Sequence, residues 1–174
     1  MEKFLMAGVQ TERLQFRKVS KADFPAWLPF WEDPESTRYW AGLPAAPPDA
    51  CKEQFQRIFE RYELGLGGMN ALVNKESGEL VGLCGLLVQQ VDQEEALEIG
   101  YSILPRFRRQ GYASEAAQAC KIRAFTQGWA TSLISIIHVD NLTSQQVAKN
   151  NGMRLDKATI YKDNPVYIYR VRTS

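Results

Sequence analysis

The 174-residue chain sets 21 Lys and Arg against 20 Asp and Glu, for a net charge of +1, and 45% of its residues are hydrophobic. That length and composition fit one globular domain with a full core and exclude a disordered chain. The near balance of charge argues against a surface given over to nucleic acid or anionic membrane. Three scattered cysteines (Cys51, Cys84, Cys120) and a single His138 exclude a disulfide framework and a His-rich metal site.

The opening Met1-Glu2-Lys3-Phe4-Leu5-Met6-Ala7-Gly8-Val9 lacks the apolar run of a signal peptide, and no later segment approaches the ~20 apolar residues of a membrane span. A cytoplasmic protein with reduced thiols is expected. Leu14-Gln15-Phe16-Arg17 alternates like a half-buried strand, and Ser20-Lys21-Ala22-Asp23 has the form of a helix-start capping box. Pro25, Pro29 and Pro34 among Trp27, Phe30, Trp31, Tyr39 and Trp40 predict a short, broken helix and an aromatic-rich loop. Pro47-Pro48-Asp49 opens a clearer helix with Phe55, Ile58, Phe59 and Tyr62 on one face, stopped by Gly65-Leu66-Gly67-Gly68.

Strand-like segments follow at 70–74, 80–88 and 97–104, joined by turns at 75–79 and around Asp92-Gln93, which is the pattern of an antiparallel meander. After Pro105 an arginine-rich loop runs into a helix over 113–125, ended by Gly128. The apolar run 133–139 then reads as a buried strand that the crossover helix can set parallel to its predecessor. A short helix over 143–150, stopped at Gly152, leads to strands over 155–161 and 166–171 around the turn Asp163-Asn164-Pro165. The order predicts a single α/β domain over 1–174, with a mixed sheet built around a central βαβ unit.

The sharpest local feature is Pro105-Arg106-Phe107-Arg108-Arg109-Gln110-Gly111-Tyr112-Ala113-Ser114-Glu115-Ala116, between a strand end and a helix start. Unpaired N–H groups and the positive end of the helix dipole suit a phosphate or pyrophosphate there. Gly111 and Ala113 keep side-chain bulk away from such an anion, and the three arginines attract it. Taken alone, the segment fits a solvated basic loop equally well. Neither G-x-G-x-x-G nor G-x-x-x-x-G-K-[ST] occurs in the chain.

Arg108-x-x-Gly111-x-Ala113 resembles the R/Q-x-x-G-x-G/A signature with which GNAT N-acetyltransferases bind the pyrophosphate of acetyl-coenzyme A. Glu98-Ile99-Gly100-Tyr101-Ser102-Ile103 upstream, and Asn141-x-x-Ser144 with Lys149-Asn150-Asn151-Gly152-Met153 downstream, continue the likeness in the family's order and spacing. The resemblance spans Thr11 to Arg172. Thr11-Glu12-Arg13-Leu14 and the Asn141/Ser144 pair look most like the branch that includes the ribosomal-protein N-terminal acetyltransferases, a branch that also contains enzymes acting on small amines.

The resemblance implies a GNAT-like fold: a mixed, mostly antiparallel sheet of about seven strands, a βαβ coenzyme A-binding core and flanking helices. It implies acetyl-coenzyme A as co-substrate, with no metal and no nucleic-acid or membrane partner, and it is compatible with a homodimer. Arg106, Arg108, Arg109, Gln110, Gly111, Tyr112, Ala113 and Ser114 would serve the pyrophosphate. Backbone groups near Ile103 and Leu104 would pair with the pantetheine where the strand 97–104 splays from 133–139, and Asn141 and Ser144 would reach the same arm.

An amine nucleophile of pKa ~10.4, or ~8 for an α-amine, must lose a proton before attack. Glu98 is the candidate base, because it interrupts an apolar strand and family members commonly carry a carboxylate there; a solvated charge on an outer strand face is the competing reading. Gly100 suits a β-bulge or close packing. For protonation of the leaving thiolate many GNAT enzymes use a tyrosine seven residues after the helix-start Asn, but that position here is Ala148, and Ser144 is the substitute the resemblance suggests. Ser144 and Asn141 could equally be helix-capping residues, and His138 reads as a core histidine outside the catalytic set. Trp31, Tyr39, Trp40 and Tyr167 are the candidate acceptor-binding residues, with Glu32, Asp33 and Glu35 nearby to suit a cationic amine or a peptide N-terminus. The expected activity is acetyl transfer to a primary amine by direct attack in a ternary complex. The alternative, kept open by Ala148, is a non-catalytic acyl-coenzyme A binding or sensing module.

Overall fold

The computed structural model describes residues 2–174. β1 (Leu14–Lys18) leads through a 3-10 turn at Lys21–Asp23 into α1 (Phe24–Glu32), α2 (Pro34–Thr37) and α3 (Pro47–Leu64). A meander follows, of β2 (Gly67–Asn74), β3 (Leu80–Val91) and β4 (Glu94–Ile103). α4 (Tyr112–Thr126) crosses to β5 (Ser132–His138), and α5 (Leu142–Asn150), β6 (Arg154–Tyr161) and β7 (Asn164–Arg172) complete the chain.

The seven strands form one sheet in the order β1-β2-β3-β4-β5-β7-β6. Every neighbouring pair is antiparallel except β4 and β5, which the α4 crossover sets parallel. Strand alternation divides the core between the two faces of this sheet. On one face Leu72, Cys84, Leu86, Leu97, Ile99 and Leu133 meet Ala116, Ala117, Cys120 and Ala124 of α4 and Ala148 of α5. Those small α4 residues, none more than 1% exposed, let the helix lie close against the strands. On the opposite face Met69, Ala71, Leu80 and Leu83 pack on Trp27 of α1 and on Cys51, Phe55 and Ile58 of α3.

The capping signal at Ser20 acts through Asp23, whose carboxylate accepts the Ser20 N–H at 2.9 Å and is gripped by Arg17 at 2.7 and 2.8 Å. The predicted break in the following helix falls at Asp33, which separates α1 from α2 and accepts the Glu35 N–H at 3.2 Å. Two expectations are revised. The β3–β4 ladder runs in continuous register from Gly82–Ile103 to Val91–Glu94, so Gly100 marks no bulge. A Cβ there would lie 3.1 Å from Leu87 Cδ1 and 3.4 Å from Met69 Sδ, so close packing explains the glycine. The β3–β4 hairpin also extends beyond the predicted strand ends, because Asp92 and Gln93 both take positive φ (49° and 69°) in a two-residue turn that matches strand twist.

Candidate active site

Between β4 and α4 the chain turns tightly. A 3-10 turn at Pro105–Phe107 is followed by two left-handed residues, Arg109 (φ 63°) and Gly111 (φ 83°), the second immediately before α4. Among the described residues no side chain caps this helix, so the first N–H groups of α4, at Tyr112, Ala113 and Ser114, have no capping acceptor and lie at the positive end of its dipole.

The loop is braced from the N-terminal segment. Arg13 donates to Glu115 through its backbone N–H at 2.9 Å and its Nε at 2.7 Å, and to the Gln110 carbonyl at 2.9 Å, while its guanidinium lies 4.1 Å from the centre of the Tyr112 ring. Burial pushes the Glu115 carboxyl up, but hydrogen bonds from Thr11 and Arg13 outweigh it and hold the group below its ordinary range. The residues of the Thr11-Glu12-Arg13-Leu14 run are legible in the sequence, but their role as a buttress of the loop is not.

The three loop arginines behave differently. Arg109 is exposed and has no ion pair among the described residues, and Arg106 meets Glu79 at 3.3 Å in the open. Arg108, the first residue of the signature, points away from the helix start: it donates to Asp33 Oδ2 at 2.9 Å, Ser36 Oγ at 2.6 Å and the Ile103 carbonyl at 3.2 Å. Gln110 Nε2 turns back to the Arg106 carbonyl at 3.3 Å, and Ser114 Oγ accepts from Asn150 at the same distance.

Beyond the loop, the two parallel strands part. Their register is confined to Glu98 and Ile134, with Ser135 Oγ donating to the Ile99 carbonyl at 2.8 Å as a last tie. From Gly100 to Ile103, β4 keeps its ladder to β3 and has no register partner on the β5 side, which leaves a strand edge for an extended ligand. Tyr101 Oη spans the gap to donate to the Ser144 carbonyl at 2.7 Å, and Asn141 Oδ1 accepts the Ser144 N–H at 3.1 Å, so Asn141 is the N-cap of α5. Asn141 and Ser144 are both partly buried at the head of this gap. Ala148 is 1% exposed within the core, and no described side chain supplies a tyrosine from that position.

Glu98 projects from the face of β4 opposite Leu97 and Ile99, toward α3 and the β6–β7 turn, and is partly buried. Gln89 Nε2 donates to its Oε1 at 3.0 Å, and the Gln89 oxygen in turn accepts from Arg61 Nη2 at 2.9 Å and Tyr161 Oη at 3.0 Å. Burial raises the Glu98 pKa above the usual glutamate range, and the hydrogen bonds from Gln89 and from the Ile136 backbone offset only part of that rise. Gln89, Arg61 and Tyr161 escape sequence reasoning because they stand on three other elements.

The candidate acceptor residues do not all converge. Trp31 and Trp40 line an open cleft of about 330 Å³ with Thr37, Leu43, Pro44 and Pro47, and Trp31 and Trp27 both donate to Gln54 Oε1, at 2.8 and 2.7 Å. Tyr39 packs on His138 at the end of β5, with ring centres 5.3 Å apart, and the Ala41 N–H donates to Asn164 Oδ1 at 3.1 Å, so the loop after α2 reaches the β6–β7 turn. Tyr167 stands apart: it packs against the α4-side core, on the other face of the sheet from Glu98. Of the nearby acids, Asp33 is taken by Arg108 and Glu35 by Arg38, at 2.9 Å in each case.

Residues 13–154 match the model of the acetyltransferase (GNAT) domain. A Bacillus licheniformis protein named uncharacterized N-acetyltransferase p20 is 28% identical over 159 residues, covering 91% of this chain and 87% of that one. The crystal structure of an acetyltransferase from Agrobacterium tumefaciens superposes with a TM-score of 0.80 at 27% identity, covering 95% of this chain and 94% of that chain. RimL, a ribosomal L7/L12 α-N-protein acetyltransferase solved in complex with coenzyme A, shares the fold with a TM-score of 0.72 at 18% identity over 96% and 97% of the two chains. The uncapped helix start behind a left-handed glycine, the parted parallel strands and the family match agree: the chain belongs to the GNAT acetyltransferase family and is an acetyl-coenzyme A dependent acetyltransferase.

Proposed function

We propose that the protein acetylates a primary amine, either a protein N-terminal α-amine or a small-molecule amine, by direct attack within a ternary complex. The observation that carries this reading is the placement of Glu98 beside the gap between β4 and β5, on the face opposite α4. Acetyl-coenzyme A supplies the acetyl group as an activated thioester. The N–H groups of Gly111 to Ser114, with Arg109 and Arg106 as long-range attraction, suit its pyrophosphate, and the free edge of β4 up to Ile103 and Leu104 suits its pantetheine.

Glu98 then accepts the proton of the acceptor ammonium, directly or through one water, and a carboxyl with raised proton affinity is the better base for that step. We assign to Ser144, at the capped start of α5, the relay of a proton from the attacking nitrogen to the departing thiolate. A covalent acetyl-enzyme route is disfavoured by the cysteines. All three are buried; burial pushes the Cys51 thiol up to about 11 and the Cys120 thiol well above its ordinary value, the opposite of an activated nucleophile.

We take residues 1–174 to act as one catalytic domain in the cytoplasm; among the described residues no helix is long and apolar enough to cross a membrane. The test is release of free coenzyme A thiol with a panel of amines, with mass spectrometry of each acceptor. Acetylated amine, and no acetylated protein after exposure to acetyl-coenzyme A alone, is the expected result. Failure of every amine, or a stoichiometric acetyl-protein, would overturn the reading.

A further inference from the structure

The rim above Glu98 carries more positive charge than its hydrogen bonding requires. Arg61 reaches into it from α3 and is held by the Leu66 carbonyl at 3.2 Å, the Val88 carbonyl at 2.9 Å and Gln89 Oε1 at 2.9 Å. Tyr161 shares the same Gln89 oxygen, and Lys162 follows it in a two-residue turn in which Lys162 and Asp163 both have positive φ (48° and 66°). The Lys162 ammonium lies 5.3 Å over the Tyr161 ring. Among the described residues Arg57, one helical turn before Arg61, has an ion pair only with Glu53, at 4.0 Å, with both side chains more than half exposed.

Among the described residues neither Arg61 nor Lys162 has a carboxylate within ion-pair distance, and Glu98 is the acid that faces them. Desolvation is the main cause that holds the Lys162 ammonium below its usual range; Arg57 and Arg61 push in the same direction and Glu98 opposes them. Of the acids on the far side of the site, Asp33 and Glu35 are already paired with Arg108 and Arg38, which leaves the exposed Glu32 as the one without an ion pair among the described residues.

We propose that the acceptor is an amine bearing an anionic group, a carboxylate or phosphate a few bonds from its nitrogen, with Arg57 and Lys162 receiving the anion while the amine faces Glu98. This rests on the amine-acetylation reading above and narrows it. Along this rim a purely cationic acceptor such as a polyamine would meet Arg57, Arg61 and Lys162, and like charges select against it. An acceptor with its own anion gains an attraction at the rim. The same cations disfavour the charged form of its ammonium, so more of it is presented as the neutral nucleophile that attack requires. The α-carboxylate of a free amino acid and an acidic side chain next to a peptide N-terminus meet the same chemistry.

The test uses matched acceptors with the full-length protein: tripeptides that differ only in an Asp, Asn or Lys at the second position, phenylalanine against phenylalanine amide, and spermidine. The anionic member of each pair is expected to show kcat/KM higher by about ten-fold or more. The double variant Arg57→Glu, Lys162→Glu changes exposed side chains, and it should reverse that order while calorimetric affinity for acetyl-coenzyme A stays within about three-fold. Acceptor binding to protein saturated with coenzyme A is read by calorimetry in parallel. If no amine turns over, the acetylation reading falls, and the ratio of affinities still decides the preference. Equal use of neutral and acidic partners, a preference for spermidine or the Lys peptide, or a ratio that survives charge reversal would overturn the proposal. Dependence on the free α-carboxylate alone identifies the amino acid as the source of the anion, and dependence on Asp identifies the peptide.

Discussion

Glu98 shows how a single residue can be suited to chemistry at some cost to folding. Its carboxyl binds a proton more tightly than an exposed glutamate because burial disfavours the charge more than Gln89 and Ile136 restore it. For an acid with a raised folded-state pKa the sign is definite: folding stability is highest below the unfolded value of ~4.3 and falls as pH rises from there through the folded pKa. Glu98→Gln removes a charge that the fold must otherwise bury. At pH 7 the variant should melt at the same or a higher temperature than the parent, the gap closing near pH 4, while its kcat falls about a hundred-fold or more. The parent's rate should climb with pH through the raised Glu98 pKa and the variant's should lack that limb, with acetyl-coenzyme A affinity unchanged. Melting curves and rates taken across pH test both halves, and a variant that keeps the same pH limb would remove Glu98 as the base. The sequence exposes Glu98 because a charge inside an alternating apolar strand is visible without tertiary information. It hides Gln89, Arg61 and Tyr161, which meet only through the β3–β4 register, the end of α3 and the β6–β7 turn.

At the scale of elements, the signature loop does two jobs, and only one can be read from spacing. Arg108-x-x-Gly111-x-Ala113 marks the helix start because Gly111 takes a left-handed conformation there, a backbone property that the residue type announces. Where Arg108 points depends on α1 ending at Asp33 and on α2 presenting Ser36, and nothing local in 105–116 encodes that. The result is a strap between the loop before α4 and the segment of α1 and α2. Arg108→Ala should loosen α1 and α2 while leaving the uncapped α4 N–H groups in place. The expected outcome is an acceptor KM raised about ten-fold with acetyl-coenzyme A affinity changed by less than about three-fold, given that a charged hydrogen bond contributes roughly 1.5–3 kcal/mol when well shielded and less for this partly exposed pair. Initial-rate kinetics in both substrates with calorimetry separates the two constants; a loss confined to acetyl-coenzyme A binding would show that Arg108 serves the pyrophosphate instead. The turn at Asp92-Gln93 is legible, but the reach of both strands up to it is not, because most residues of the tip are polar and exposed and show no apolar alternation.

Across the whole molecule, the sheet is two units joined by a narrow seam. β1 to β4 form one antiparallel unit and β5, β7 and β6 form another. Among the described residues their ladder register is confined to the Glu98–Ile134 pair, supplemented by the Ser135–Ile99 hydrogen bond, the hydrogen bond from the Ile136 backbone to Glu98, the Tyr101–Ser144 bridge and α4 packed beneath. A seam of this kind has few backbone hydrogen bonds holding Gly100 to Ile103 on one side, so its local opening is less costly than that of the flanking ladders. A ligand that pairs with the free edge of β4 and caps α4 adds contacts at that seam and to no other part of the sheet. Saturating coenzyme A should therefore slow amide hydrogen exchange at 100–104, at 111–114 and at the start of α5 near 141–144, leaving β1–β2 and β6–β7 nearly unchanged. Thermal stability should rise by about 2.7 kcal/mol at a ligand concentration of roughly one hundred times Kd, as binding to the folded state alone requires. Exchange measured with and without coenzyme A decides the matter: protection restricted to 111–114 would mean that the pyrophosphate binds without the pantetheine entering the gap, and the parted strands would then need another explanation.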